Sequence, residues 1–576
     1  MAGTWTGLTN QPNFNAGSMF LMTNGTVLCN QFDNNGFYGT RKWWKLTPDN
    51  FGSYINGTWS PVADSLNTRT FFSSAVLKDG RFLVIGGEYS DAGGDTNKGE
   101  IYDPVSNTWT AITPPSGWTN VGDGACCLLP DGRFLLGYFN GTKTAIYDPV
   151  TNTWTAGATK LDSASEETWV LLSDGTIVAP QCVNHPNAEK YLIGANKWVS
   201  AGTLPVDVVE ASSIETGPGI LLPDGRAFFV GATGKTALYN KPANPVNPGT
   251  WTAGPSFPKI NNKQLGAKDA PGSLLPNGKV LCAVGPVDGV SGNYLPPTYF
   301  FEFDGVSLTQ VSSPGNSGNI PYQGRMLLVP SGEVLFAAQP SNKIFAYIPD
   351  SGPQASWRPQ IVSVTGIGYA GSTYTLTGRQ LNGLSQAVGY GDDHSAVTNY
   401  PLVRLRNNSS GAVFFCKTKN FSTMGVATGS ALVTTDFTIP LSVPDGMYEL
   451  CVIANGISSA TCSCIYIYHY KIVWPPNLYY EIFAQLIGSL ADGPLWVLTP
   501  NGPVPVDPWG PLYEKRVQEA VGNITAGFRE WQALGNEIGG LQQKQGFNAI
   551  QKTSTRAAKA GKAKRSVKSK TNRKKK

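Results

Sequence analysis

The sequence has 576 residues and a formal net charge of +5, and only 14% of its residues are charged, against about 25% in average globular proteins. This composition is typical of a turn-rich β protein, and no apolar run approaches the ~18 residues of a membrane-spanning helix. The chain begins without a basic segment or an apolar core, so no signal peptide is visible, and we expect a cytoplasmic or non-classically exported protein.

Hairpin signals recur along the first 350 residues. Each is a turn dipeptide ending in Gly between two apolar runs, and dipeptides of this kind favour a tight hairpin because Asn, Asp and Gly tolerate positive φ. A period of about 50 residues with four strands per unit is typical of kelch propeller blades. The sequence therefore predicts an all-β, seven-bladed kelch propeller over residues 1–357. The seven dipeptides are Asn24-Gly25, Asp79-Gly80, Asp131-Gly132, Asp174-Gly175, Asp224-Gly225, Asn277-Gly278 and Ser331-Gly332.

A Trp followed by a polar residue marks the last strand of most units, and Leu308 takes its place in the sixth. The N-terminal Thr4-Trp5-Thr6 has the same pattern, so we predict that it completes the last blade and closes the ring. The alternative is a ragged N-terminal arm, because the seventh unit already contains a Trp of its own. The Trp residues of the units are Trp59, Trp109, Trp154, Trp198, Trp251 and Trp357.

The pattern changes after residue 357. Short alternating strands separated by turns predict an immunoglobulin-like β-sandwich over residues 358–470. Apolar residues at steps of three and four predict a helical extension over 471–548, whose stripe packs on its own body or on a partner helix.

Residues 549–576 contain 12 Lys or Arg and no acid, so subtracting them from +5 leaves −7 for the rest of the chain. We predict a disordered tail that binds a polyanion such as nucleic acid or an anionic surface; the alternative is a solubilising tail. The predicted contacts are Lys564, Arg565, Lys568, Lys570, Arg573, Lys574, Lys575 and Lys576.

Nine cysteines are scattered along the chain without framework spacing, which argues against a disulfide scaffold and predicts buried free thiols. Cys462-Ser463-Cys464 is too tight for the usual zinc spacing and lacks a second pair in the sequence.

Three segments resemble the galactose oxidase and glyoxal oxidase family: residues 68–81, residues 322–332, and the run Tyr390-Gly391-Asp392-Asp393-His394. The chain is more similar still to bacterial kelch-repeat proteins without an assigned activity. Proteins of the family join a seven-bladed kelch propeller to an immunoglobulin-like domain, so the resemblance implies both predicted folds.

The resemblance also implies copper, held by two His and two Tyr, with one Tyr cross-linked to a Cys. The cross-linked Tyr falls at Phe71, the Cys at Asn15, and the Tyr-His pair at Tyr322-Gln323. His394 lies near the remaining ligand position but one residue out of register. We therefore expect that the copper-radical site is not preserved and that no metal or cofactor is bound.

Polar residues precede the first strand of each blade, where propellers form one mouth of their channel. These side chains could bind sugar hydroxyls or a cation, or perform acid–base chemistry, since close carboxylates split their pKa values. The alternative is that they cap turns or pair on a solvated rim. The candidates, of which Glu166, Glu167 and Glu215 are the strongest, are Arg69, Asp123, Glu166, Glu167, Glu210, Glu215, Asp269, Tyr322, Gln323 and Arg325.

The sequence favours a non-catalytic protein that recognises a glycan or a protein ligand at the propeller mouth. One alternative is a galactose-oxidase-like enzyme, either a copper oxidase with an altered site or a hydrolase or lyase using the acidic residues. Another is a structural protein tethered to a polyanion by its tail. Fold alone does not decide between them.

Overall fold

The computed structural model describes residues 2–35, 38–91, 93–290, 292–390 and 396–469, and the predicted extension and tail lie outside these ranges. Residues Met1–Tyr468 form one compact unit. Its secondary structure is all β apart from three single 3-10 turns, at Ile193–Ala195, Pro321–Gln323 and Ala355–Trp357.

A β-propeller makes up the first three quarters of this unit. Six four-stranded antiparallel sheets are its blades, and five of them are built from four consecutive strands. These strands, preceded by β1 (Thr4–Gly7), are β2 (Asn15–Leu21), β3 (Val27–Phe32), β4 (Gly39–Thr47), β5 (Thr58–Pro61), β6 (Ser73–Val76), β7 (Phe82–Ile85), β8 (Gly99–Asp103), β9 (Thr108–Ile112), β10 (Cys126–Leu128), β11 (Phe134–Gly137), β12 (Thr144–Asp148), β13 (Thr153–Ala156), β14 (Val170–Leu171), β15 (Ile177–Pro180), β16 (Asn187–Leu192), β17 (Lys197–Thr203), β18 (Gly219–Leu221), β19 (Ala227–Val230), β20 (Thr236–Asn240) and β21 (Thr250–Ala253).

A seven-stranded sheet follows, and within it β24 to β27 pair antiparallel in chain order. The strands of this region and of the next blade are β22 (Lys259–Ile260), β23 (Lys263–Gly266), β24 (Gly272–Leu274), β25 (Val280–Val287), β26 (Tyr299–Phe303), β27 (Leu308–Val311), β28 (Gly324–Leu328), β29 (Val334–Ala338) and β30 (Ile344–Ile348).

The N-terminal strand closes the sixth four-stranded blade, as the sequence predicted. β1 pairs antiparallel with β30, placing Trp5 opposite Tyr347. The prediction that Trp357 belongs to the last strand of this blade is wrong, because Trp5 holds that position and Trp357 lies in a 3-10 turn. The indole of Trp357 instead lies against Gly278, where a Cβ would come within 2.4 Å of the ring.

The outer-strand tryptophans link neighbouring blades. Trp109, Trp154 and Trp251 each pack on a tyrosine of the adjacent strand, and each indole N–H donates to a carbonyl of the preceding blade. Trp109 bonds Ala63 O at 2.9 Å, Trp154 bonds Thr113 O at 2.7 Å and Trp251 bonds Ala201 O at 2.9 Å. Burying the ring while satisfying its N–H explains why Trp recurs at this position.

The hairpin turns also follow the prediction. All seven turn glycines have φ between +77° and +102°, a region that favours glycine.

The remaining strands form a curled nine-stranded sheet with a separate apolar core around Leu405, Phe437 and Leu450. Its strands, together with β34, which pairs with β24 of the seven-stranded sheet, are β31 (Gln360–Ser363), β32 (Ile367–Tyr369), β33 (Thr373–Arg379), β34 (Val388–Gly389), β35 (Leu402–Asn407), β36 (Val413–Lys419), β37 (Leu432–Thr438), β38 (Gly446–Ala454), β39 (Ile457–Ser458) and β40 (Ser463–Tyr468).

The nine-stranded sheet packs against the hairpin-turn end of the propeller. Backbone hydrogen bonds join Asn420 to Lys78 and Met424 to Pro130, each at 2.8 Å. After β33, residues 380–390 leave the sheet and run among the inner strands, the first strand of each blade: β34 pairs with β24 and contacts β18 and β28. This arrangement carries Tyr390 towards the opposite end of the propeller.

One expectation about the cysteines needs correction. Cys451 and Cys462 form a disulfide, because β38 and β40 bring them face to face, although eleven residues separate them in the chain. Six of the other cysteines are free and buried, as predicted, and Cys464 is free and exposed. Among the described residues, no helix is long and apolar enough to cross a membrane.

Candidate functional site

Antiparallel strand order determines which loops meet at the end of the propeller that is away from the hairpin turns. Within a blade, the start of the first strand and the loop between the second and third strands lie at the same end. We call this end the mouth. The residues before β6, β10, β14, β18, β24 and β28 therefore meet the loops of residues 86–98 and 288–298.

Three tyrosines and several carboxylates gather there. The ring centroids of Tyr294 and Tyr322 are 4.8 Å apart, and the Tyr294 hydroxyl donates to the Glu215 carboxylate. Phe71 lies 6.3 Å from Tyr322 and 6.1 Å from Tyr89. We call this group, with Asp269, the tyrosine–carboxylate cluster. The three tyrosines and Asp269 are half-buried, so each keeps part of its surface exposed at the mouth.

Burial and the neighbouring carboxylates keep the phenols protonated. Burial raises the pKa of Tyr89 to about 12, and the charges of Glu88 and Asp123 act in the same direction. Burial, Asp269 and Glu215 raise the pKa of Tyr294, while burial and Asp269 raise that of Tyr322. At neutral pH these hydroxyls are hydrogen-bond donors beside carboxylate acceptors.

Arg325 supports the cluster from below. It is fully buried, and its guanidinium donates to Tyr322 O at 2.6 Å and to Gly324 O at 2.7 Å. The same group lies 5.1 Å from the Phe71 ring and 4.2 Å from the Tyr390 ring, and the Tyr390 hydroxyl donates to Tyr322 O. Arg325 therefore fixes the backbone that presents Tyr322.

Lys268 and Glu210 flank the other side of the cluster. The Lys268 ammonium lies 4.6 Å from the Tyr294 ring centroid and 3.6 Å from a Glu210 oxygen, and it donates to Val290 O at 3.2 Å. Although burial opposes it, hydrogen bonds from Ser212 and Ser213 lower the pKa of Glu210 to about 2. Glu210 is thus a permanent anion that orders its own loop.

Left-handed backbone recurs where the chain enters the inner strands. Phe71, Glu166 and Asp269 have φ of +48°, +57° and +50°. Such conformations are unfavourable for residues with side chains and cluster at functional sites. At all three positions the residue contributes to the mouth.

Two predicted site residues are part of the interior instead. The Arg69 guanidinium is 3% exposed and donates to Glu100 at 2.5 Å, to Gly86 O and to Lys98 O. Glu167 is 0% exposed and its carboxylate lies 2.7 Å from the Lys160 ammonium. In both cases a buried polar side chain is held by a partner of its own blade and is not presented at the mouth.

Glu167 belongs to a group that we call the Lys160 cluster. Lys160 also lies 2.5 Å from Glu189 and 4.0 Å from the Trp198 ring centroid, and Trp169 donates its indole N–H to Glu167 at 2.9 Å. Burial raises the pKa of Glu167 to about 8, with a further contribution from Glu189. The cluster is a closed structural unit.

The other predicted residues lie at the mouth. Glu166 and Asp123 are half-buried, and their charges act on Tyr294 and Tyr89 respectively. Gln323 is half-buried at the end of the 3-10 turn that carries Tyr322.

The sequence reasoning missed Tyr89, Glu88, Lys268 and Tyr294. Lys268 precedes Asp269 at the start of β24, and the other three lie in loops between second and third strands, which antiparallel order places at the same end. Adding those loops to the search would have found Tyr89 and Tyr294.

The residues present do not fit a copper-radical centre. Phe71 lies beside Tyr322, where the resemblance places the cross-linked tyrosine, and its ring has no phenolic oxygen. The Asn15 amide donates to Asp33 O at 2.8 Å and has no sulfur for a thioether. Gln323 replaces an imidazole ligand, and His394 lies outside the described residues. No redox step follows from this donor set.

Comparisons with known proteins agree with the repeat. The kelch motif matches residues 69–116, which span the blade formed by β6 to β9. Galactose oxidase from Gibberella zeae is 42% identical over 55 residues, a match covering 10% of this chain and only 8% of that protein. These matches support a galactose oxidase-like kelch protein.

Two solved structures are similar at low sequence identity. A fungal alcohol oxidase in complex with copper has a TM-score of 0.48 and 14% identity, covering 81% of this chain and all of that one. Virginiamycin B lyase from Staphylococcus aureus has a TM-score of 0.40 and 13% identity, covering 60% of this chain and 98% of that one.

Proposed function

We propose that the propeller has seven blades and that the nine-stranded sheet is an immunoglobulin-like sandwich. In support, β24 to β27 repeat the strand order of the other blades, and β24 contacts the inner strands β18 and β28 on either side. In the sandwich, alternate residues of β35, β38 and β40 face one apolar core.

We further propose that the chain is a non-catalytic binding protein that takes a neutral glycan at the mouth. The observation that carries this proposal is the pairing of half-buried tyrosine rings with carboxylates in the tyrosine–carboxylate cluster. Aromatic faces pack on the C–H faces of a sugar ring, while carboxylates and protonated phenols bond its hydroxyls.

The charge balance at the mouth favours a neutral ligand over an anionic one. Carboxylates of Glu166, Glu215 and Asp269 surround the rings. Among the described residues, the cations beside these rings already have protein partners, since Lys268 binds Glu210 and Arg325 binds backbone carbonyls. An anionic glycan would bring its charge close to the three carboxylates, and their repulsion would oppose binding.

The test is to titrate the full chain with neutral, sulfated and amino-substituted oligosaccharides by calorimetry. Glu215→Gln and Tyr322→Ala should each weaken binding of a neutral glycan at least tenfold. The matched control is Glu333→Gln, which removes a carboxylate from the hairpin-turn end and should change nothing.

Two results would contradict the proposal. One is glycan binding that survives both mouth substitutions. The other is conversion of the bound glycan to a product, which would replace the binding role with the enzymatic one. Binding of a protein ligand that is lost in Glu215→Gln would confirm the mouth as the binding site and replace the glycan with a protein as its ligand.

A second role concerns the predicted tail, for which the observation is 12 Lys or Arg without an acid over residues 549–576. We propose that it binds polyanions, with an affinity that falls steeply as salt increases because counterions are released. Deleting residues 551–576 should abolish binding to heparin and to duplex DNA. Binding that persists after the deletion would refute this role.

A further inference from the structure

A second cluster of reactive side chains lies on the nine-stranded sheet, away from the mouth. The disulfide between Cys451 and Cys462 lies beside the Glu449 carboxylate, and the three potential ligand atoms are all within 4.8 Å of one another. Cys464, a free and exposed cysteine, is two residues from Cys462.

Strand register places all four side chains on one face. Glu449 of β38 is directly opposite Cys464 of β40. Cys451 lies two residues after Glu449 on β38, and Cys462 immediately precedes β40, two residues before Cys464. Residues two apart on a strand share a face, and directly opposed residues have Cβ atoms about 4.5–5.5 Å apart. The intervening Leu450 faces the buried core, so the cysteines and Glu449 lie on the outer face.

Two arginines of the next strand balance the charge of this face. Register places Arg404 opposite Cys451 and Arg406 opposite Glu449, and an Arg404 nitrogen lies 3.3 Å from Cys451 Sγ. With the disulfide reduced, three thiolates and one carboxylate would carry four negative charges. A divalent cation and the two guanidinium groups would neutralise them.

From this arrangement we propose that the reduced protein binds one zinc ion through Cys451, Cys462, Cys464 and Glu449. Zinc prefers four tetrahedral ligands drawn from thiolate, imidazole and carboxylate, with Zn–S bonds of about 2.3 Å. Ligand atoms of such a site are roughly 3.8 Å apart, within the 4.8 Å that already separates three of them.

The disulfide makes the site dependent on redox state. A dithiol reductant supplies two electrons and two protons to the Cys451–Cys462 bond and is itself oxidised to a disulfide. The freed thiols lose their protons when they bind zinc, so affinity also rises with pH. Oxidised protein keeps a covalent link between β38 and β40, and the reduced protein replaces that link with the metal.

Local sequence does not reveal this site. Cys462 and Cys464 are too close for the usual spacing, and their partners Glu449 and Cys451 come from a strand that lies eleven or more residues earlier. Only the pairing of β38 with β40 completes the ligand set.

The test uses the full chain, reduced with a phosphine and freed of metal, and titrates it with zinc against a chromophoric chelator. We expect one tightly bound zinc per chain, and none after reoxidation of the disulfide. Cobalt in place of zinc should give the near-ultraviolet absorption of thiolate coordination.

Cys464→Ser and Glu449→Gln leave the disulfide intact and should each weaken zinc binding at least tenfold in the reduced state. The matched control is Cys416→Ala, which removes a thiol buried in the core of the same sandwich and should not change affinity. Equal binding by oxidised and reduced protein, or full affinity in both ligand variants, would overturn the proposal.

Discussion

Two lysines in this protein have the same kinds of neighbour and different surroundings. Lys160 and Lys268 each lie near an aromatic ring, at 4.0 Å from Trp198 and 4.6 Å from Tyr294, and each is paired with a glutamate. Lys160 is enclosed by two carboxylates and two indoles inside a blade. Lys268 borders the mouth, where the rings are half-buried.

The two lysines differ in how many polar and aromatic groups beside them are left to bind a ligand. In the Lys160 cluster, both carboxylates bind the ammonium, and Glu189 also accepts a backbone N–H from Leu161 at 2.7 Å. Beside Lys268, Tyr294, Tyr322 and Asp269 are half-buried and keep part of their surface exposed. A group of charged and aromatic side chains is therefore a candidate binding site only when its faces reach solvent.

The largest effect is expected from Lys160→Met. The substitution leaves Glu167 and Glu189 together in the interior without their cation, and breaking a buried ion pair in this way costs about 3–5 kcal/mol. Urea unfolding at pH 7 would measure the loss.

Lys143→Met is the control for that experiment, because Lys143 is exposed and lies 6.0 Å from the Tyr138 ring. It should change the free energy of unfolding by less than about 0.5 kcal/mol. A similar small loss in Lys160→Met would show that the cluster is not the closed structural unit described above.

The two glutamates should give opposite dependences on pH. Glu167 has a folded-state pKa of about 8, above its ordinary value, so between pH 5 and 8 the folded protein holds a proton that the unfolded chain has lost. Raising the pH therefore destabilises the wild type by up to about 1.4 kcal/mol per pH unit. Glu167→Gln removes this slope.

Glu210 has the opposite sign. Its folded-state pKa of about 2 is below its ordinary value, so its stabilisation is complete above about pH 4.5 and is lost as the pH falls towards 2. The difference in free energy of unfolding between the wild type and Glu210→Gln should therefore shrink as the pH falls. The corresponding difference for Glu167→Gln should shrink as the pH rises from 5 to 8. Urea unfolding from pH 3 to 8 would check both, and parallel curves for the two variants would contradict the contrast.

A smaller effect is expected from Lys268→Met. Glu210 keeps its bonds from Ser212 and Ser213, so losing the ammonium leaves no orphaned carboxylate and should cost about 1 kcal/mol. The variant should nonetheless alter glycan affinity, because Lys268 packs on Tyr294. Urea unfolding and calorimetric titration of the same preparation would measure stability and glycan affinity separately. A loss of stability equal to that of Lys160→Met would contradict the distinction between the two lysines.

Local sequence predicts much of the fold. The turn glycines, the outer-strand tryptophans and Thr4-Trp5-Thr6 each follow a rule that acts within a few residues or between adjacent strands. The prediction for Trp357 was wrong because a Trp pattern does not reveal which strands pair. The disulfide was not predicted for the same reason, since only strand pairing brings Cys451 close to Cys462.

The mouth was only half predictable. Position before an inner strand selected Glu215, Asp269 and Tyr322, which the structure places at the mouth. It also selected Arg69 and Glu167, because the spacing shows where a residue begins a strand and not whether its side chain turns inward to a buried partner. Glu100, which binds Arg69, is 31 residues away in the chain, and Glu189 is 29 residues from Lys160. Packing within a blade brings these partners together, and no local pattern marks them.

The smallest effect on stability is expected from Tyr294→Phe. The ring stays, and with it the contacts to Tyr322 and Lys268, while the hydroxyl that donates to Glu215 is lost. Removing one half-buried hydrogen bond costs roughly 0.5–1.5 kcal/mol. Glycan affinity should fall by a larger factor in Tyr294→Ala than in Tyr294→Phe, because stacking needs the ring and the hydroxyl only orients Glu215. Equal glycan affinities for the two variants, measured by calorimetry, would mean that the ring face does not touch the ligand. The half-buried tyrosines would then only stabilise the fold, as Trp198 does beside Lys160.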